Sequence, residues 1–201
     1  MTAVLAILLP STALAWTQLR NAYPNAPQSC DNSSSYPCIK WPQKSNGYSI
    51  TVYAYMDYSL SQANINLETD VTNGAAQWTG VAACNPFLYT TGSGVDADIG
   101  LYRGTTVYSD SWAETQTITL SSDVHKVVAA NVTFNKLVTW NRTYTYDVYK
   151  ADARKVATHE LGHTEALGHT GYTAVMHQGA ESFWTLRTND VQGMQAVYPC
   201  P

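Results

Sequence analysis

His159-Glu160-Leu161-Gly162-His163-Thr164-Glu165-Ala166-Leu167-Gly168-His169 carries three of the five histidines of a 201-residue chain. On a 3.6-residue helix, His159 and His163 share one face, one turn apart, close enough to grip one metal ion. Gly168 can end that helix, so the chain can turn back and bring His169 to the same ion. Three protein ligands leave a fourth position for water, which is the catalytic arrangement: zinc lowers the pKa of its water to about 7. Glu160, beside a ligand and with no reason to coordinate, is placed as general base and later as proton donor to a leaving amine. A lone H-E-x-x-H arises by chance, and a helical histidine pair is ordinary on a surface. The third histidine, in ligand order, separates this stretch from both.

Outward from that stretch, good helix formers run from about Asp147 or Tyr149 through Ala151, Ala153, Val156 and Leu161, predicting a helix that stops near Gly168. A further helix follows Thr188, with Thr188, Asn189 and Asp190 offering capping oxygens; Val191, Met194 and Val197 recur before Pro199. Upstream, Ile50 to Tyr55 reads as a strand and Asn64 to Trp78 as a helix. Short strands are expected at Leu88–Thr91, Asp98–Tyr102, Thr115–Leu120 and Val132–Phe134, and a polar-aromatic connection at Trp140–Tyr149. Strands with helices before, beside and after them make an α+β layer arrangement.

The N-terminal stretch has a different character. Ala3 to Leu9 is apolar, and Ala13-Leu14-Ala15 offers a signal-peptidase pattern. Residues 1–15 therefore read as a signal peptide despite the lack of a basic residue before Arg20. Residues 16–47, dense in Pro, Asn, Ser and Gln, read as a loosely ordered lead-in, and 48–201 as the catalytic domain. Cys30, Cys38, Cys84 and Cys200 form an even set without C-x-x-C spacing, which fits disulfides in an oxidising, extracellular compartment. Of three connectivities, Cys30–Cys38 with Cys84–Cys200 is favoured. Sequons stand at Asn32, Asn131 and Asn141.

Composition narrows the partners. At 45% apolar and 13% charged, the chain can bury one core without needing a metal for stability, so zinc is expected for chemistry. A net charge of -4 without a basic stripe argues against nucleic acid, and the only long apolar run is too short to span a bilayer, so no membrane association is expected after signal cleavage. The expected partner is a protein or peptide substrate, acted on by a monomer.

HELGHTEALGH resembles the H-E-x-x-H-x-x-G-x-x-H signature of the metzincin zinc peptidases, and Ala174-Val175-Met176-His177 resembles their Met-turn. Asn73–Trp78, Ala97-Asp98-Ile99 and Asp190–Tyr198 are similar to the matrixin branch, so the resemblance covers about Tyr48 to Tyr198. It implies a zincin-like twisted mixed sheet of about five strands with three helices, and a substrate lying extended along an edge strand above the zinc. It also implies His159, His163 and His169 as zinc ligands, Glu160 as general base and Met176 as an apolar floor. Two departures stand out. Ala166 occupies the family's glycine position, so either residue 166 adopts positive φ at a cost of about 1 kcal/mol or Gly168 makes the turn. No tyrosine lies two residues after Met176, so a tyrosine fifth ligand is not expected. Cys30 lacks a cysteine-switch context, and Asp96-Ala97-Asp98 is not a calcium-loop motif, so structural calcium has no motif behind it.

The function expected is a secreted zinc endopeptidase whose preference is set by residues about 178–188, where Phe183, Trp184 and Leu186 read equally as an apolar wall or as core. Two alternatives stay open: a thermolysin-like gluzincin with Glu181 as third ligand, and a secreted zinc-binding module without catalysis.

Overall fold

A computed structural model describes residues 38, 40–42, 50–79, 81, 87–91, 97–108, 111–143, 150–170, 173–177 and 183–198. The expected signal peptide, Glu181, Asn32 and the cysteines other than Cys38 lie outside them.

A five-stranded sheet forms from β1 (Ile50–Met56), β2 (Phe87–Thr91), β3 (Ile99–Gly104), β4 (Ala113–Leu120) and β5 (Asp123–Asn135), in the order β2-β1-β3-β5-β4. β2, β1, β3 and β5 run parallel, and β4 pairs antiparallel to β5 at the sheet edge. With three α-helices, this is the expected α+β mixed sheet. β5 is much longer than the Val132–Phe134 expected, because it doubles back on β4 through a tight connection at Ser121–Ser122 and reaches Asp123. Its buried residues Val127, Ala130, Val132 and Phe134 all enter the core.

Helix α1 (Leu67–Thr79) begins later than Asn64. Asn66 caps it by accepting the Glu68 N–H, while the Asn64 carboxamide exchanges hydrogen bonds with the Trp140 backbone. Leu67, Val71, Gly74, Ala75 and Trp78 recur at helical spacing and form its buried face. Gly74 is where α1 meets α2 (Ala153–Thr164): a Cβ there would lie 3.1 Å from the Thr158 backbone.

Other boundaries also differ from expectation. The Trp140–Tyr149 stretch is not all connection, since Thr139–Asn141 (β6) pairs in parallel with Lys150–Asp152 (β7). α2 starts at Ala153 because the Asp152 carboxylate accepts the Arg154 N–H as its N-cap. It ends at Thr164, four residues before Gly168. In the third helix, α3 (Thr188–Val197), Arg187 is the N-cap position, and Asp190 rather than Thr188 or Asn189 bonds back to its N–H.

The chain before β1 also enters the fold. Lys40 bridges in parallel to Lys126, with the Lys40 N–H on the His125 carbonyl and the Val127 N–H on the Lys40 carbonyl. Trp41 is buried; its indole N–H donates to the Thr164 carbonyl at 2.7 Å and its backbone N–H to the Tyr198 hydroxyl.

Candidate active site

Two local devices, a helix and the turn after it, deliver the three histidines. His159 and His163 stand one turn apart on α2, as the sequence spacing requires. After Thr164 the chain leaves the helix through Ala166, whose φ of 66° lies in the left-handed region. Ala166, not Gly168, therefore makes the turn. Its N–H bonds the His163 carbonyl and the Leu167 N–H bonds the Gly162 carbonyl, closing the helix and sending the chain back toward it.

The result is a near-equilateral triangle of ring nitrogens. His159 Nε2 lies 3.1 Å from His163 Nε2 and 3.1 Å from His169 Nε2, and the third side is 3.2 Å. Two rings have their tautomer fixed: His159 Nδ1 donates to the Val175 carbonyl and His163 Nδ1 to the Leu167 carbonyl, both at 2.7 Å. Their Nε2 atoms therefore carry lone pairs aimed at one another, which repel unless a cation sits among them. Nitrogens bound to one tetrahedral zinc at about 2.0–2.1 Å are about 3.3 Å apart, so the triangle fits that ion closely. Desolvation, reinforced by the neighbouring rings, holds His159 well below the usual imidazole range. Desolvation first, then His163 and His177, takes His169 to about 3. Neutral imidazoles are the ligand form.

Glu160 is buried at 7% exposure. Burial, the largest influence, pushes its carboxyl above the ordinary carboxylate value, opposed by His163 and by the Thr115 hydroxyl. Thr115 Oγ1 donates to Glu160 Oε2 at 2.6 Å.

The floor is built from Met176 and Trp78. A Cβ on Gly162 would lie 2.3 Å from Met176 Sδ and 2.7 Å from Trp78 Cζ2, so the glycine between Leu161 and His163 lets both side chains touch the helix backbone. The buried Asp190 carboxylate holds the segment carrying Met176. It accepts the N–H groups of Val175 (2.9 Å), Met176 (3.0 Å) and Arg187 (2.8 Å).

Two of the three residues expected as a wall or as core carry guanidinium groups on their rings. The Arg154 guanidinium stacks over Trp184 at 4.7 Å and that of Arg187 over Phe183 at 4.1 Å, leaving Leu186 packed on the core. Gln77 on α1 clamps the backbone of this segment, donating to the Trp184 carbonyl (2.8 Å) and accepting the Leu186 N–H (3.0 Å). Sequence reasoning missed Thr115, Asp190 as a tether, and Gln77. Only Asp190 left a trace, as a capping residue, because the other two depend on which elements become neighbours.

Among the described residues, His159, His163 and His169 are a group able to hold a metal ion. The matrixin family profile matches residues 40–199. Mouse matrix metalloproteinase-19 is 43% identical over 49 residues, a stretch amounting to 22% of this chain and 9% of that protein. A profile spanning most of the chain, together with a three-imidazole cluster and a mixed sheet, makes this chain a member of the matrixin family, whose fold is that of zinc-dependent metallopeptidases.

Proposed function

We propose that this chain is a secreted zinc endopeptidase with His159, His163 and His169 as metal ligands and Glu160 as general base. The observation that carries the reading is the triangle of Nε2 atoms, 3.1–3.2 Å on a side, two of them with their Nδ1 hydrogens committed to carbonyls. A zinc ion there would polarise the scissile carbonyl and make its bound water acidic near neutral pH. Glu160 takes the proton from the attacking water and delivers it to the departing amine nitrogen. β4, the antiparallel edge strand, offers its open side to an extended peptide by strand addition. Met176 and Trp78 exclude water from below the ligands.

The same reading includes a monomeric domain over residues 48–201, export directed by residues 1–15, and disulfides at Cys30–Cys38 and Cys84–Cys200. Cys38 is buried and disulfide-bonded, in keeping with an oxidising compartment. Among the described residues no helix is long and apolar enough to cross a membrane.

The test is metal analysis of purified protein with peptide cleavage, with and without a chelator. One zinc per chain and chelator-sensitive cleavage are expected. Glu160→Gln should keep the zinc and lose at least about a hundredfold in kcat. If His169→Ala retains both zinc and cleavage while Glu181→Ala loses them, the assignment of ligands fails. If Glu160→Gln and the parent share the same negligible cleavage, the centre is a binding module.

A further inference from the structure

β4 does more than present an edge. Residues 115 and 117 lie on one face of that strand, and both are threonines that bond the active-site helix. Thr115 Oγ1 lies 2.6 Å from Glu160 Oε2 and 3.2 Å from the Glu160 carbonyl oxygen; Thr117 Oγ1 lies 3.4 Å from the His163 carbonyl oxygen. A hydroxyl has one hydrogen to give, and the short contact to the charged oxygen takes it.

The consequence concerns the Glu160 carboxylate. Its terminal torsion is intrinsically broad, so an untethered carboxylate rotates through many orientations. Proton transfer needs one oxygen held within about 0.5 Å of its productive place. Among the described residues, Thr115 is the one hydrogen-bond partner of this carboxylate. It engages Oε2 and leaves Oε1 for the reactants. The strand that supplies Thr115 is the strand to which an extended substrate would add, so the tether also fixes the carboxylate relative to the scissile bond.

We propose that Thr115 is a positioning residue for hydrolysis, its hydroxyl holding one oxygen of Glu160 so that the other faces the reacting water. This rests on Glu160 being the proton carrier. The test compares Thr115→Val, which keeps the shape and loses the hydroxyl, with Thr115→Ser, which keeps the hydroxyl and loses the methyl. Thr115→Ala stands in should the second methyl of valine crowd α2. With zinc-loaded enzyme and a fluorogenic peptide, Thr115→Val should lower kcat by about ten- to a hundredfold, with KM and zinc affinity by chelator competition unchanged within about twofold. Thr115→Ser should stay within about threefold of the parent. Thermal unfolding of the Thr115→Val, Glu160→Ala cycle should give a non-additive shift. Full kcat in Thr115→Val, serine as poor as valine, or additive shifts would overturn the proposal. Glu160→Gln, assayed alongside, separates the two failures. Retained cleavage there removes Glu160 as proton carrier, whereas an inactive Glu160→Gln with a fully active Thr115→Val removes the role of Thr115 alone.

Discussion

Asp190 Oδ1 accepts the backbone N–H of Met176 at 3.0 Å, and through its other oxygen the N–H of Val175, whose carbonyl in turn receives His159 Nδ1. A metal-ligand candidate is thus oriented by a carboxylate on a different helix, through one peptide unit. Asp190→Ala should strand three N–H donors that now end on that carboxylate. At about 1–3 kcal/mol per unsatisfied buried group, the expected loss is at least about 3 kcal/mol, or roughly 6–12 °C in Tm. Weaker zinc binding should accompany it. A loss under about 1 kcal/mol in urea unfolding would show that the tether is redundant.

Ala166 sets two effects against each other. Its left-handed φ of 66° costs about 1–2 kcal/mol relative to glycine, while its fully buried methyl contributes about 0.8 kcal/mol. Ala166→Gly should therefore be neutral or stabilising by up to about 1 kcal/mol, unlike an ordinary buried Ala→Gly change. Ala166→Val should be destabilising by more than about 2 kcal/mol, since a β-branched residue tolerates that region worst. Chemical denaturation of both variants checks the pair, and a clearly destabilised glycine variant would contradict the reading of the turn.

Gly162→Ala tests the floor. Alanine gains about 1 kcal/mol of helix propensity, but its methyl would meet Met176 Sδ at 2.3 Å and Trp78 Cζ2 at 2.7 Å. Overpacking of that severity costs about 1–3 kcal/mol and displaces Met176, so the steric effect wins. Reduced stability together with weakened zinc binding is expected. A variant more stable than the parent would mean that the floor yields freely.

Acid should destabilise the zinc-free protein. His159 and His169 are held below their ordinary value of 6.5, the latter at about 3, so between those pH values the unfolded chain binds more protons than the folded one. Their contribution is complete above pH 6.5 and is lost as pH falls, at up to about 1.4 kcal/mol per pH unit per ring. Urea midpoints of chelated protein from pH 7.5 to 5 should decline. A flat or rising profile would show that the rings are solvated.

The constellation was legible because both of its spacings are covalent facts: four residues on a helix, and six more to a ring returned by a turn. The sheet was legible in outline, since β-branched residues mark where strands lie, but β5 was not bounded. His125 and Lys126 break its apolar pattern and are tolerated where the strand pairs with β4 and Lys40. The start of α2 is not encoded by propensity, since alanine at 151 and 153 favours a helix equally; Asp152 decides the boundary through its bond to Arg154. Thr115 meets Glu160 across 45 positions and Gln77 meets Leu186 across 109, and the stacking of Arg154 on Trp184 likewise joins separate segments; no local pattern encodes such meetings.

Trp41 ties together the far end of α2 and the first residue after α3, since the Tyr198 hydroxyl that accepts its N–H also donates to the Glu165 carbonyl. A shortened chain cut at Tyr48, where alternating β pattern first becomes visible, would strip this clasp from the helix that presents His163. Engineered trimming should therefore stop short of Cys38, and a fusion partner belongs upstream of it.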